Sequence, residues 1–188
     1  MTTTLFFDTE TTGLPIWASP SGDPAQPHMT QFAGMMFRDD HLLASMNFMS
    51  RPDGWEIPAE ITELTGITME DANKFGLPEE TVYRMALKMI RDADTIVAHN
   101  IPFDARIMRI AAKRFGTEDE AEEIKAKRRE CTMTLGAREL KARGMTGTGK
   151  SLGEVHKAIV GCEISGAHNA LVDVVACRQI WLKIKENA

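Results

Sequence analysis

Along residues 5–10 (LFFDTE) an apolar run gives way to two acids one residue apart. Strand alternation sends Asp8 and Glu10 to the same side, about 7 Å apart along the chain. Four prolines, Pro15, Pro20, Pro24 and Pro27, then punctuate the chain and predict a long mobile loop over 16–28. Residues 31–37 and 42–49 flank Asp39-Asp40 and predict a hairpin that continues the first strand into a sheet. Beyond them the period lengthens. Residues 58–65 and 79–93 (EETVYRMALKMIRDA) carry apolar side chains at helical spacing. A short buried strand follows at 95–98 (TIVA), then a helix over 102–115 that Pro102 can open. Residues 117–129 read as a charged helix with a solvated face, acids first and bases last, as the helix dipole favours. Helices over 135–143, 151–160 and 170–184 complete the chain. Strands first, then a strand among helices, predict an α/β fold with a mixed sheet flanked by helices. No repeat or linker divides it, so a single domain over 1–188 is expected.

Two of the helices carry an acid where the pattern is otherwise apolar. In the first, Met108, Ala111 and Phe115 follow Asp104 by four, seven and eleven residues. All lie within about 40° of its direction on a helix. In the second, Cys177, Ile180 and Ile184 stand at the same offsets from Asp173. An unpaired carboxylate heading a buried stripe is costly unless it is protonated, paired or bound to a metal. A first-turn acid welcomed by the helix dipole explains one such residue, and a strand fraying into an acidic turn explains Asp8 with Glu10. A shared metal site accounts for all four together, since buried bases are too few to pair them.

His168 precedes Asp173 by five residues, about 140° around a helix, so the two cannot share a helical face. It must lie on a loop before the helix, with Asn169 as the cap. A helix-end hydrogen bond or a plain surface loop would also explain it. Beside the acids, a neutral imidazole is a proton acceptor. His28, His41, His99 and His156 lack such company and are assigned structural roles.

Composition narrows the class. With 43% hydrophobic and 26% charged residues, the chain is that of an ordinary globular protein. Cys131, Cys162 and Cys177 show neither CxxC pairing nor matching histidines, which argues against a zinc site or a disulfide framework and for buried thiols in a reducing compartment. The start, MTTTLFFDTE, is not a secretory signal, and no stretch approaches the roughly 20 apolar residues of a membrane span. A cytoplasmic protein is expected, with no membrane partner. The net charge of −5 gives no global attraction to nucleic acid, so a polyanionic substrate would need a metal or a local basic patch.

Asp8 and Glu10 in DTETTGL, Asp104 in HNIPFD, and His168 with Asp173 in AHNALVD together resemble the DEDDh 3′→5′ exonucleases. That family includes the proofreading epsilon subunit of bacterial replicative DNA polymerase, and the similarity runs over residues 5–184. It implies a ribonuclease H-like fold with a five-stranded mixed sheet, in which 95–98 is the fourth strand and 130–132 the fifth. It also implies that Asp8, Glu10, Asp104 and Asp173 hold two Mg²⁺ or Mn²⁺ ions, about 3.5–4 Å apart. His168 would act as the general base. Nucleoside 5′-monophosphates would leave one at a time from a single-stranded or frayed 3′ end, DNA ahead of RNA. Thr11, Thr12 and Leu14 match positions that touch the terminal nucleotide, and Asn100 and Phe103 match positions lining the site. Thr65, in TGIT (65–68), belongs to a segment the family carries after its third strand. Core positions are the other reading of Leu14 and Phe103. The Pro-rich segment before His28 is longer than in the shortest relatives, and the tail by which the epsilon subunit joins its polymerase is not expected here. A role other than polymerase subunit is expected.

Residues 144–151 (GMTGTGKS) satisfy the phosphate-loop pattern, which would suit a nucleotide-binding protein. That loop needs a buried strand before it, and 135–143 reads as helix. With Lys141, Arg143, Lys150 and residues 125–129, a basic grip on phosphates or a solvated loop is expected instead. A non-catalytic module that binds nucleic-acid ends is a third reading, whose mark would be a lost ligand position.

Overall fold

Alternation along β1 (Thr3–Thr11) divides the molecule into two cores. Leu5 and Phe7 pack on one side with Val82, Ile90, Ile107 and Met108. Phe6 packs on the other with Ala33, Val97, Val174 and Cys177. Each of these phenylalanines is at most 1% exposed, so its burial contributes about 2–3 kcal/mol. The computed structural model describes residues 2–145 and 151–186.

β1 pairs antiparallel with β2 (Met29–Arg38), which turns at Asp39 into β3 (His41–Arg51). Asp39 takes a left-handed φ of 53°, a conformation that aspartate tolerates better than most residues. Two short helices follow, α1 (Ala59–Thr65) and α2 (Met69–Phe75), then the two-residue β4 (Leu77–Pro78) and α3 (Glu79–Asp92). On the other flank of β1, β5 (Thr95–Ala98) runs parallel to it and leads into α4 (Ile101–Phe115), α5 (Glu118–Ala126) and β6 (Arg129–Cys131). The chain then forms α6 (Thr132–Ala142), α7 (Leu152–Ile159) and α8 (Ala170–Glu186). The strand order is β4-β3-β2-β1-β5-β6, antiparallel in the β1–β2–β3 meander and parallel elsewhere. Helices α3 and α4 cover one face and α8 the other, the α/β arrangement expected.

Several expectations need correction. The sheet has six strands among the described residues instead of five, because β4 adds a two-residue edge. The charged stretch over 117–129 is not one helix. A capping box between Thr117 and Glu120 starts α5, which stops at Ala126, and Arg129 already belongs to β6. The fifth strand expected at 130–132 thus lies one residue earlier, and Thr132 opens α6.

Residues 16–28 form no open loop. The Gln26 amide accepts a hydrogen bond from Ile16 N–H at 3.0 Å and donates to the carbonyls of Ile16 and Pro20. Arg114 donates to Gln26 O, and buried Glu79 accepts from Met29 N–H and meets both His28 and Arg114. A single buried amide and one carboxylate thus bind the Pro-rich segment to α3 and α4.

Only Cys177 of the three thiols is buried; Cys131 is half-buried and Cys162 exposed. No helix among the described residues is long and apolar enough to cross a membrane. Residues 146–150 of the phosphate-loop pattern, Lys150 among them, lie outside the described residues. The segment preceding them is the helix α6, as expected, so the strand a phosphate loop requires is missing there.

Candidate active site

Because Phe6 faces α8, Asp8 and Glu10 share that face by the two-residue period of β1. They meet Asp173, which sits in the first turn of α8. One carboxylate oxygen from each of Asp8, Glu10 and Asp173 lies within 4.8 Å of the others. Thr9 points the opposite way and receives Asp104 from α4: Asp104 Oδ1 accepts from Thr9 N–H at 3.0 Å and from Thr9 Oγ1 at 2.9 Å. The fourth acid therefore approaches the end of β1 from the other side of the sheet. The stripes behind the two aspartates are buried as the spacing requires, Met108 and Ala111 below Asp104, and Cys177 and Ile180 below Asp173.

Four carboxyls crowd one another here with too little water to screen them. Burial pushes Asp8 well above the usual carboxylate range, and the charges of Asp104, Glu10 and Asp173 push it further. Burial, with Asp173 and Asp104, raises Glu10 to about 8. Asp104 rises to about 7 by burial despite its two bonds from Thr9. Asp173 is also raised by burial, with His168 acting against the rise. Its Oδ1 is buried and has no hydrogen-bond partner. An orphaned carboxylate oxygen aimed among other carboxylates is the donor set that hard divalent cations take.

His168 precedes α8 in a left-handed conformation, φ 64°, and its backbone N–H donates to Asp173 Oδ2 at 3.3 Å. The Asn169 side chain caps α8 by accepting from Leu171 N–H, as the spacing predicts. The His168 side chain is exposed. Three other histidines have structural partners. His28 pairs with Glu79 and stacks on Trp55, His99 meets Thr132, and His156 bridges Cys162 O and Gln179. His41 is exposed at the hairpin.

The remaining expected site residues differ in what they can offer. Thr11 Oγ1 donates to Gly13 O, and Thr12 Oγ1 accepts from His28 N–H, so both hydroxyls shape the turn after β1. Leu14 is 79% exposed and is no core residue. Phe103 packs partly against the larger core, and Asn100 is exposed in a left-handed conformation just before α4. Thr65 lines a cavity with Gln31, Asn47, Ile67 and Asn169.

Two residues went unnoticed in the sequence. Thr9 looked like a spacer between acids, yet it holds Asp104. Gln31 lies opposite Glu10 on β2; it accepts from Ala170 N–H at 3.2 Å and donates to Asn47, tying the start of α8 to the sheet. A lone amide opening the otherwise apolar run QFAGMMF was its one signal.

A ribonuclease H-like sheet bearing a carboxylate cluster at the end of its first strand defines the class. Residues 5–180 match the RNase T family model, described as exonuclease, and the chain belongs to that family. No curated protein matches the sequence. Among solved structures, Escherichia coli exonuclease I in complex with a dT13 oligonucleotide aligns over 99% of this chain and 41% of its own, with 20% identity and a TM-score of 0.74. The zinc-bound form of the E. coli exonuclease I–single-stranded DNA complex aligns over 100% and 41%, with 21% identity and a TM-score of 0.73. The complex of the same enzyme with a dA16 oligonucleotide aligns over 100% and 41%, with 22% identity and a TM-score of 0.75. The chain thus spans about two-fifths of the length of these proteins.

Proposed function

We propose that this protein is a 3′→5′ exonuclease that removes nucleoside 5′-monophosphates from single-stranded or frayed DNA ends. The observation that carries the reading is the meeting of Asp8, Glu10 and Asp173 within 4.8 Å, with Asp173 Oδ1 unpartnered. Asp8, Glu10 and Asp173, joined by Asp104, would hold two Mg²⁺ or Mn²⁺ ions. When bound, such ions supply positive charge that makes water acidic enough to attack and stabilises the departing 3′ oxygen.

The chain's own residues supply the rest. His168 accepts the proton of the attacking water; the new P–O bond forms as the P–O3′ bond breaks, so the product keeps the phosphate at its 5′ position. Thr9 keeps Asp104 turned toward the end of β1, and Gln31 keeps α8 seated so that Asp173 and His168 stay together. Leu14, being exposed, would lie against the terminal base, with Thr11 and Thr12 fixing its turn. Thr65, Asn100 and Phe103 would line the same end of the sheet. Preference for DNA is supported by the single-stranded DNA complexes of the structurally similar exonuclease I.

Incubation of 5′-labelled dT12 with the protein and Mn²⁺ is expected to give a ladder shortened from the 3′ end, with thymidine 5′-monophosphate as product and no cleavage in EDTA. Internal cuts, nucleoside 3′-monophosphates, or binding without cleavage would each overturn the assignment, the last in favour of an end-binding module. A matched RNA oligomer in the same assay is expected to be degraded more slowly.

A further inference from the structure

On the outer side of α4, half-buried Arg106, Arg109 and Lys113 line a cavity beneath the Pro-rich segment, with Asp23 and Glu118 at its edge. Spacings of three and four residues put them on one face, with neighbouring Cβ atoms about 5–6 Å apart. Lys113 is paired with Glu118. The two guanidinia are only partly satisfied, Arg109 by the charge of Glu122. Arg106 donates one N–H to Ser19 O, but the Nε of Arg106 and the Nε of Arg109 are both buried without a partner. Burial, and then the like charge of Arg109, lower the pKa of Arg106. Above them, Trp17 is 59% exposed, with Arg106 Cζ 6.0 Å from its ring centroid.

Crowded, partly desolvated guanidinia beside an exposed indole call for a partner that carries both anionic oxygens and flat rings. Single-stranded nucleic acid is that partner, binding by phosphate contacts and base stacking. Arg109 stands about 140° around α4 from Asp104, on another face of the helix, and the link to the carboxylate cluster runs through the Pro-rich segment: Trp17 is three residues, at most about 11 Å of chain, from Leu14.

We propose that Trp17, Arg106 and Arg109 form the track for the nucleotides lying 5′ of the one removed: the indole stacks on a base and the guanidinia meet phosphates. The Pro-rich segment, bound to the body through Gln26, thereby serves to hold Trp17 over α4. The track rests on the carboxylate cluster being the place of phosphodiester cleavage.

Fluorescence anisotropy with 5′-fluorescein dT3, dT6 and dT12 in EDTA tests it. The native protein is expected to bind dT12 on the order of ten-fold more tightly than dT3, a gain that one stacked base and one or two phosphate contacts supply. In the Trp17→Ala, Arg109→Gln double variant that gain is expected to fall below about three-fold. Arg109→Gln alone is expected to reduce the slope of log affinity against log salt by about 0.7. Unchanged length dependence together with an unchanged salt slope would overturn the track. Binding that follows the expected pattern, in a native protein that releases no mononucleotide with Mn²⁺, would overturn the exonuclease assignment and leave Trp17, Arg106 and Arg109 as a strand-binding surface only.

Discussion

Asp8→Asn is expected to stabilise the protein in EDTA at pH 8 while reducing its nuclease activity by a factor on the order of 10³ or more. Both effects have one cause. Asp8 is half-buried, and desolvation first, then the charges of Asp104, Glu10 and Asp173, raises its pKa. The fold therefore favours the protonated form of this cluster, with Asp104 near 7 and Glu10 near 8. For groups whose folded pKa is raised, the native state binds more protons than the unfolded chain, so stability falls as pH rises. That stability is complete below about pH 4, where the unfolded chain is also protonated, and is lost progressively as pH rises through about 7 and 8, the raised values of Asp104 and Glu10. An amide in place of Asp8 removes one charge and relieves the other three. The gain is on the order of 2 kcal/mol, or roughly 5 °C in Tm for a chain of this length. The same substitution takes away a carboxylate that a divalent ion would use, and several kcal/mol of lost charge stabilisation is about a thousand-fold in rate. Thermal melts in EDTA and dT12 cleavage on the same preparation check both halves. A variant destabilised at pH 8 would contradict the crowding of charge read from the geometry.

Removing the imidazole should separate chemistry from binding. His168→Ala is expected to lower kcat about 10² to 10³-fold, the usual contribution of a positioned general base. Its affinity for Mn²⁺ should remain within a few-fold, because the group that ties residue 168 to Asp173 is the backbone N–H. Its Tm should move little, since the side chain is exposed. Added imidazole is expected to restore part of the rate. Turnover equal to that of the native protein would remove His168 from the reaction.

Much of this site could be read from the order of residues because parity and helical phase carry it. Asp8 and Glu10 are two apart, Asp104 and Asp173 head apolar stripes, and five residues put His168 ahead of its helix. Those rules fix direction but not which face of the sheet each element covers. Alternation alone therefore could not say that Asp173 meets Asp8 and Glu10 directly while Asp104 comes from the opposite side through Thr9. The short elements were lost for a different reason. α2 has seven residues, and Thr68 caps it by accepting from Asp71 N–H, which gives too few turns for a period to be seen. β4 is two residues held by neighbours already in place. The order in the Pro-rich segment depends on Gln26, whose side chain binds groups six to ten residues away, and prolines in a sequence announce only that no regular element is present.

The most direct test is a pair of thermal melts, with EDTA and with 1 mM Mn²⁺, at pH 8 and at pH 5. Ligand at about a hundred times its Kd adds about 2.7 kcal/mol, or roughly 5–10 °C here. At pH 8 a divalent cation need displace only the few protons the cluster still holds and a rise of that size is expected; at pH 5 protons occupy the same oxygens and the rise should be much smaller. No rise at pH 8, or equal rises at the two pH values, would contradict a metal site built from Asp8, Glu10, Asp104 and Asp173.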